Sequence, residues 1–301
     1  MDIKEEIIKL KKEKDVVILA HYYVDGAVQE VADFVGDSYY LSKAATSVPQ
    51  KTILFCGVHF MGESAKILNP EKTVIMADNL ADCPMAHMTD VAKIKKTKSE
   101  YDDLAVVCYI NSTAEIKAHS DVCVTSSNAL KIVSKLPQKN ILFIPDNNLG
   151  SYIAKQLPEK NFIYHDGHCI VHHAIKREEL IAAKAAHPNA LVLVHPECTA
   201  DIVALADYVG STSGIIEFAK KSDAKEFIIG TEVGVFYNLE KENPDKRFYP
   251  INSIQICRNM KLINIDKVLY RLQTLEPELK LKENIRLKAE IPLKRMHELA
   301  E

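Results

Sequence analysis

Three cysteines, Cys83, Cys169 and Cys257, close three similar stretches of the chain. The middle stretch runs from Asn161 to His173, where an apolar segment ends in Asp166-Gly167-His168-Cys169 and His172 and His173 follow. Thiolates are soft ligands, and three of them at one point would hold a soft metal site. Three cysteines without a fourth suit a four-iron, four-sulfur cluster with one open iron, a Lewis acid. They equally suit a catalytic zinc with water as fourth ligand, and spacing alone leaves both open. No C-x-x-C occurs among the seven cysteines, so a zinc ribbon or a thioredoxin-type site has no local support. Cys56, Cys108, Cys123 and Cys198 lie in or beside apolar or small-residue stretches and read as structural thiols.

The elements that must position these residues repeat three times. Apolar strands end in His21, Tyr109 and His195, offset by 88 and then 86 residues. An aspartate follows each strand end by 12 residues (Asp33, Asp121, Asp207), and a hydroxyl residue follows that by 5 (Ser38, Ser126, Thr212). A second apolar strand ends 22 residues after each aspartate, at Phe55, Phe143 and Ile229. Then come Asn69-Pro-Glu-Lys72, Leu157-Pro-Glu-Lys160 and Asn243-Pro-Asp-Lys246, and after a third strand the cysteine. Matches at six places, five in strict register and the cysteine within two residues of it, argue for a triplicated module. Amphipathic patterns precede each copy: Ile3-Ile7-Ile8-Leu10, Val91-Ile94 and Leu180-Ile181-Ala185. Wholly apolar strands alternating with helices point to parallel β-α-β units. The reading is three small three-layer α/β domains, 1–88, 89–173 and 174–265, about a pseudo-threefold axis. Helices over 266–301 are expected to pack on the first domain.

In parallel sheets ligands bind beyond the carboxyl ends of strands, where His21, Tyr109 and His195 stand. A lone histidine there is ordinarily a satisfied rim residue, but three equivalent proton-capable positions argue for a shared cleft. Tyr23, Asn111-Ser112 and Glu197 follow them. Ser38, Ser126 and Thr212 read as helix N-caps, and a helix start is also an anion site. Three such starts suit a substrate with several carboxylates or a phosphate. Neither G-x-G-x-x-G nor G-x-x-x-x-G-K-[ST] occurs, which removes the usual support for dinucleotide or nucleoside triphosphate binding.

The remaining bounds are broad. The chain has 301 residues, 47% hydrophobic and 26% charged, with a net charge of −3, the balance of a globular protein without a nucleic-acid or membrane partner. No apolar run approaches the roughly 20 residues that span a bilayer. The charged start, Met1-Asp2-Ile3-Lys4-Glu5-Glu6, has no apolar signal segment, so a cytoplasmic protein with reduced thiols is expected.

These residues resemble the quinolinate synthase family of bacterial and archaeal NAD biosynthesis, along essentially the whole chain. The resemblance rests on Ile18-Leu-Ala-His21 with Tyr23, Ala32-Asp-Phe-Val-Gly-Asp-Ser38, Cys83-Pro-Met-Ala86 and Tyr109-Ile-Asn-Ser-Thr113. It extends through Thr125-Ser126, Gly167-His-Cys169 with His172, and His195-Pro-Glu-Cys198. Asp207-Tyr-Val-Gly-Ser-Thr212, Gly230-Thr-Glu232 and Cys257 with Asn259-Met-Lys261 complete it. It implies condensation of iminoaspartate with dihydroxyacetone phosphate to quinolinate, phosphate and two waters, with an aspartate oxidase or dehydrogenase supplying the imine. It implies one [4Fe-4S] cluster per chain on Cys83, Cys169 and Cys257. Substrate carboxylate and phosphate groups would meet His21, Ser38, Tyr109, Asn111, Ser126, His195, Ser211 and Thr212. Tyr23 and Glu197 would handle protons, and His172 would sit by the cleft. The chain departs from the family's usual lettering at Tyr22, His87, Ile170 and Ser213-Gly214. Two readings stand beside this one: a zinc-dependent lyase or hydrolase in the same cleft, and a non-catalytic polyanion-binding module with buried thiols.

Overall fold

Val16-Val-Ile-Leu-Ala-His21 offers no polar face, and it forms a strand buried along its whole length. It belongs to a computed structural model that describes residues 2–301. Each repeat folds into the same eight elements. The first holds α1 (Ile3–Glu13), β1 (Val16–His21), α2 (Gly26–Val31), β2 (Phe34–Gly36), α3 (Ser38–Ser47), β3 (Thr52–Cys56), α4 (His59–Leu68) and β4 (Thr73–Met76). The second holds α5 (Val91–Glu100), β5 (Leu104–Tyr109), α6 (Ala114–Lys117), β6 (Val122–Val124), α7 (Ala129–Lys135), β7 (Asn140–Ile144), α8 (Asn147–Ala154) and β8 (Asn161–Tyr164). The third holds α9 (Arg177–Ala186), β9 (Leu191–Val194), α10 (Ala200–Val203), β10 (Tyr208–Val209), α11 (Thr212–Lys221), β11 (Glu226–Gly230), α12 (Phe236–Glu242) and β12 (Arg247–Pro250). Helices α13 (Arg258–Lys261), α14 (Ile265–Thr274) and α15 (Glu283–Ala300) end the chain.

Three parallel four-stranded sheets result, ordered β2-β1-β3-β4, β6-β5-β7-β8 and β10-β9-β11-β12, with helices packed against them. The repeated order is the α/β three-unit architecture expected of the sequence. Each sheet has one strand more than expected. β2, β6 and β10 are two or three residues long, too short for a periodic signal. The cysteines therefore follow the fourth strand of each unit. In α1 only Ile7 of the expected apolar face is fully enclosed, while Ile8 faces outward.

Two repeated residues prove architectural. Asp33, Asp121 and Asp207 each use Oδ2 to accept a backbone N–H of the first strand, from Ile18, Val106 and Val192 at 2.9, 2.7 and 2.8 Å. Their own N–H groups donate to the carbonyls of those same residues, each at 2.9 Å. Lys72, Lys160 and Lys246 reach carbonyls at or just past the C-terminal ends of α3, α7 and α11: Val48 at 2.6 Å, Leu136 at 2.7 Å and Ala219 at 2.6 Å. A cation there satisfies orphan acceptors and opposes the negative end of the helix dipole.

The C-terminal helices differ from expectation. α14 packs on α1 of the first unit, but α15 lies across α4 of the first and α6, β6 and α7 of the second. One continuous core accordingly joins those two units, whereas the third sheet carries separate clusters on its faces. Among the described residues, no helix is long and apolar enough to cross a membrane.

Candidate active site where the three sheets meet

The carboxyl ends of β1, β5 and β9 open on one cleft of about 710 Å³ including its mouth. His21, Tyr23 and Ser38 line it from the first unit, and Tyr109, Asn111, Ser126 and His172 from the second. His195, Glu197 and Thr212 line it from the third, and Cys83, Cys169 and Cys257 complete it. Of the expected site residues, Ser211 alone is not part of the lining: its hydroxyl caps α11 by accepting Gly214 N–H at 3.1 Å. The helix starts lie differently from expectation. Asp37 and Ser211 are the N-caps of α3 and α11, which puts Ser38 and Thr212 at the first helical position with their hydroxyls not used as caps. α7 begins at Ala129, beyond Ser126, so two helix starts rather than three open on the cleft.

The loops after the first strands are tied down by buried donors. Gln29 Nε2 donates to the carbonyls of Tyr22 and Val24, both at 2.9 Å. Lys117, at the same place in the second repeat, donates to the Ser112 carbonyl. Val203 holds that place in the third, and Asn148 Nδ2 from the second unit donates to the Glu197 carbonyl at 2.9 Å instead.

Two imidazoles share one arrangement. The Tyr23 N–H donates to His21 Nδ1 at 3.1 Å, and the Glu197 N–H to His195 Nδ1 at 3.3 Å. Burial outweighs the nearby Glu197 charge and pushes both histidines down to about 3, so both are neutral near pH 7. With Nδ1 accepting, each presents Nε2–H as a donor, and that of His195 reaches Ser126 Oγ at 3.2 Å. Burial would raise Glu197, but the facing His195 and His172 and hydrogen bonds from His172 and Tyr109 bring it down to about 2. Burial and the Glu197 charge hold the Tyr23 and Tyr109 phenols well above their usual range, hence protonated.

A chain of hydrogen bonds links the two expected proton-handling groups. Glu197 Oε2 lies 2.7 Å from His172 Nδ1, and His172 Nε2 lies 2.8 Å from Thr231 Oγ1. Thr231 Oγ1 lies 2.8 Å from the Tyr23 hydroxyl, itself 2.7 Å from Thr212 Oγ1. With Nδ1–H given to the carboxylate, Nε2 accepts from Thr231, whose oxygen accepts the Tyr23 O–H. Among the described residues no Lys or Arg lines the cleft, so anionic groups would meet neutral donors. Asn111 Oδ1 is buried without a hydrogen-bond partner, an atom that calls for one.

Each cysteine is placed by a carboxylate that accepts its backbone N–H. Asp82 Oδ1 serves Cys83 at 2.8 Å, Asp146 Oδ2 serves Cys169 at 3.2 Å and Glu232 Oε1 serves Cys257 at 3.1 Å. Burial pushes the Cys83 thiol up to about 12, with the neighbouring Cys257 adding to the effect. Thiols buried in this way ionise when a metal is beside them. Among the described residues, Cys169, His172 and Glu197 are the one group of three or more ligand atoms lying within 4.8 Å of one another. The three cysteine sulfurs are therefore spread wider than the shell of a single ion.

Thr231, Asp146 and Glu232 escaped the sequence reading of the site. Asp146 and Glu232 carry a signal: both stand two residues past the end of the third strand, in the repeat's own register, where the first unit has Val58. Thr231 lies in the Gly230-Thr-Glu232 motif, but nothing in the sequence marks its role, because only the tertiary approach of the first and third units gives its hydroxyl two partners.

Comparison with known proteins finds similarity along essentially the whole chain. The family described as Quinolinate synthetase A protein matches residues 5–298. A quinolinate synthase of Fusobacterium nucleatum is 57% identical over 298 residues, 99% of each chain. One of Caldicellulosiruptor bescii is 54% identical over 280 residues, 92% of each, and one of Clostridioides difficile 51% over 300 residues, 100% of this chain and 99% of the relative. With strand-end histidines, a repeated cysteine and a shared cleft in a chain this similar throughout, the protein belongs to the quinolinate synthetase A family of enzymes.

Proposed function

We propose that the cleft condenses iminoaspartate with dihydroxyacetone phosphate to give quinolinate, phosphate and two waters, a step of NAD biosynthesis. Four carbons and three carbons make the seven of the product, and the balance needs no oxidant. The observation that carries the reading is the convergence of three repeat cysteines with the Glu197–His172–Thr231–Tyr23 chain in one cleft. Cys83, Cys169 and Cys257 would hold a four-iron, four-sulfur cluster. When bound, such a cluster with one iron free of protein ligand supplies Lewis acidity toward substrate oxygen or nitrogen. The spread of the sulfurs favours a cluster over a zinc held by all three, since zinc draws its ligands to about 2.3 Å.

The chain's own residues divide the remaining work. The Nε2–H groups of His21 and His195, the hydroxyls of Ser38, Ser126 and Thr212, and Asn111 bind carboxylate and phosphate oxygens. Ser38 and Thr212 do so at helix starts, where free N–H groups add to the attraction. Glu197, ionised, takes protons from carbon and nitrogen. Tyr23, protonated, gives one to a departing hydroxyl. It is refilled along Thr231 with the hydrogen bonds reversed, the proton taken by Glu197 passing to His172 Nδ1 as Nε2–H is given to Thr231 and the Thr231 O–H to the phenolate. Positioned groups of this kind contribute roughly 10²–10⁴-fold each. Phe60, Met61, Val171 and Met260 form an apolar wall that keeps water from reactive intermediates. Because the imine hydrolyses in water, an aspartate oxidase or dehydrogenase is the fitting supplier.

The test is protein purified without oxygen. About four iron and four sulfide per chain are expected, with quinolinate formed from dihydroxyacetone phosphate and an iminoaspartate source. Alanine at Cys83, Cys169 or Cys257 should abolish the brown colour, and alanine at Cys123 should not. One zinc and no sulfide would instead favour a single ion on Cys169, His172 and Glu197 and overturn the cluster.

A further inference from the structure

Each cysteine loop is held by a carboxylate, and one of these carboxylates is linked through a lysine to the acid/base loop as well. Glu232 is wholly enclosed. Its Oε1 accepts Cys257 N–H at 3.1 Å and its Oε2 accepts Gly234 N–H at 2.6 Å. Lys261, in the short helix α13 that Cys257 begins, brings Nζ to 3.4 Å from the same Oε1. That ammonium also donates to the Tyr23 carbonyl at 2.7 Å, across from the third unit to the first. Gln29 already fixes the carbonyls of Tyr22 and Val24 from within the first unit. The Tyr23 carbonyl is thus the one in that loop held from outside. Gly234 presses its backbone against the same residue, where a Cβ would stand 2.7 Å from Tyr23 Cα. The counterpart Asp146 accepts from Cys169 and Leu149, both in its own unit.

We propose that Glu232 and Lys261 are positioning residues that set the Cys257 thiol and the Tyr23 phenol relative to each other as one unit. This rests on the reading of Cys257 as a cluster ligand and Tyr23 as a proton donor. The physical reason is that both ends must meet one substrate, and a displacement of about 1 Å at a reacting group costs on the order of 10²-fold in rate. A single carboxylate–ammonium pair bonded to both loops keeps that separation when the first and third units shift against each other.

The test uses wild-type protein, Lys261→Met, Lys261→Arg, Glu232→Gln and the double variant Glu232→Gln/Lys261→Met, all purified without oxygen. Iron per chain, the rate of iron loss to a chelator, kcat and KM are measured on each. Lys261→Met is expected to lose roughly 10- to 100-fold in kcat per iron-loaded chain, with KM little changed. It should also release iron faster than wild type. Lys261→Arg, which keeps a donor to both partners, should restore most of both. The double variant should be no worse than the worse single variant, since the residues act as a unit. Wild-type kcat and iron retention in Lys261→Met would overturn the proposal, as would a double variant whose losses multiply. Lys261 is partly exposed, so its variants decide the matter even where Glu232→Gln fails to fold. Iron absent from the wild-type protein would defeat the cluster reading instead, and the two failures are therefore distinguishable.

Discussion

At the scale of the residue, the cleft works through neutral donors and one buried charge. His21 and His195 are uncharged because burial penalises the imidazolium, and the backbone N–H on Nδ1 aims Nε2–H into the cleft. Glu197 is the buried anion, stabilised by His172 and Tyr109. Between it and Tyr23 stands the Thr231 hydroxyl, the single atom that joins His172 to the phenol. Thr231→Val keeps the shape and removes that atom, which leaves His172 Nε2 buried without a partner. We expect kcat to fall about 100-fold, the lower end of what a positioned proton-transfer group contributes, with KM little altered. Thr231→Ser retains the hydroxyl and should keep most of the rate. If the valine variant turned over within twofold of wild type, protons would not pass through Thr231.

At the scale of the element, the repeat made much of the molecule legible before its fold was known. Equal spacing placed His21, Tyr109 and His195 at strand ends, and spacing equal to within two residues placed the three cysteines in equivalent loops, because a duplicated module preserves register and tolerates small loop changes. Equal spacing did not reveal what each repeated residue does. Asp33, Asp121 and Asp207 recur more strictly than the cysteines, yet each closes a reciprocal pair of hydrogen bonds between first strand and edge strand. Ser38 and Thr212 look like N-caps in sequence, and a shift of one residue in the helix start turns them toward the cleft. β2, β6 and β10 stayed hidden because two or three residues show no alternation. The architectural reading of the aspartates is testable at Asp207. Asp207→Ala leaves the Val192 N–H without the side-chain oxygen it meets at 2.8 Å. A loss of about 1–3 kcal/mol is expected, read from the denaturant midpoint, with kcat/KM at 25 °C unchanged. A large loss of kcat at unchanged stability would make the aspartate a site residue after all.

At the scale of the whole molecule, a cleft assembled from three units is only as rigid as the contacts between them. The sequence showed helices at the C-terminus and pointed them to the first domain, where α14 lies but where α15 only begins, since an amphipathic stripe records that a helix is covered and not by what. α15 is the brace. It lies across the first and second units, with Ala289, Leu293 and Met296 wholly enclosed in the core those units share. Polar contacts anchor it on both sides: Arg286 to the Ile67 carbonyl at 3.4 Å and Arg295 to the Asp121 carbonyl at 3.2 Å. Leu293→Ala opens a cavity in that shared core. Large-to-small changes of this kind cost about 2–5 kcal/mol, more where the surroundings cannot collapse. Two units held apart by their own sheets collapse poorly, so the upper half of that range is expected. Because no atom of Leu293 lines the cleft, kcat and KM well below the melting temperature should stay near wild type while the thermal midpoint falls. Hydrogen exchange then separates a brace from an ordinary core position. The variant should lose protection in α6, β6 and α4 together, while β9 and β11 of the third unit, with their separate clusters, keep theirs. Loss of protection confined to α15 itself would show that the helix is a passenger on the two units and not their link.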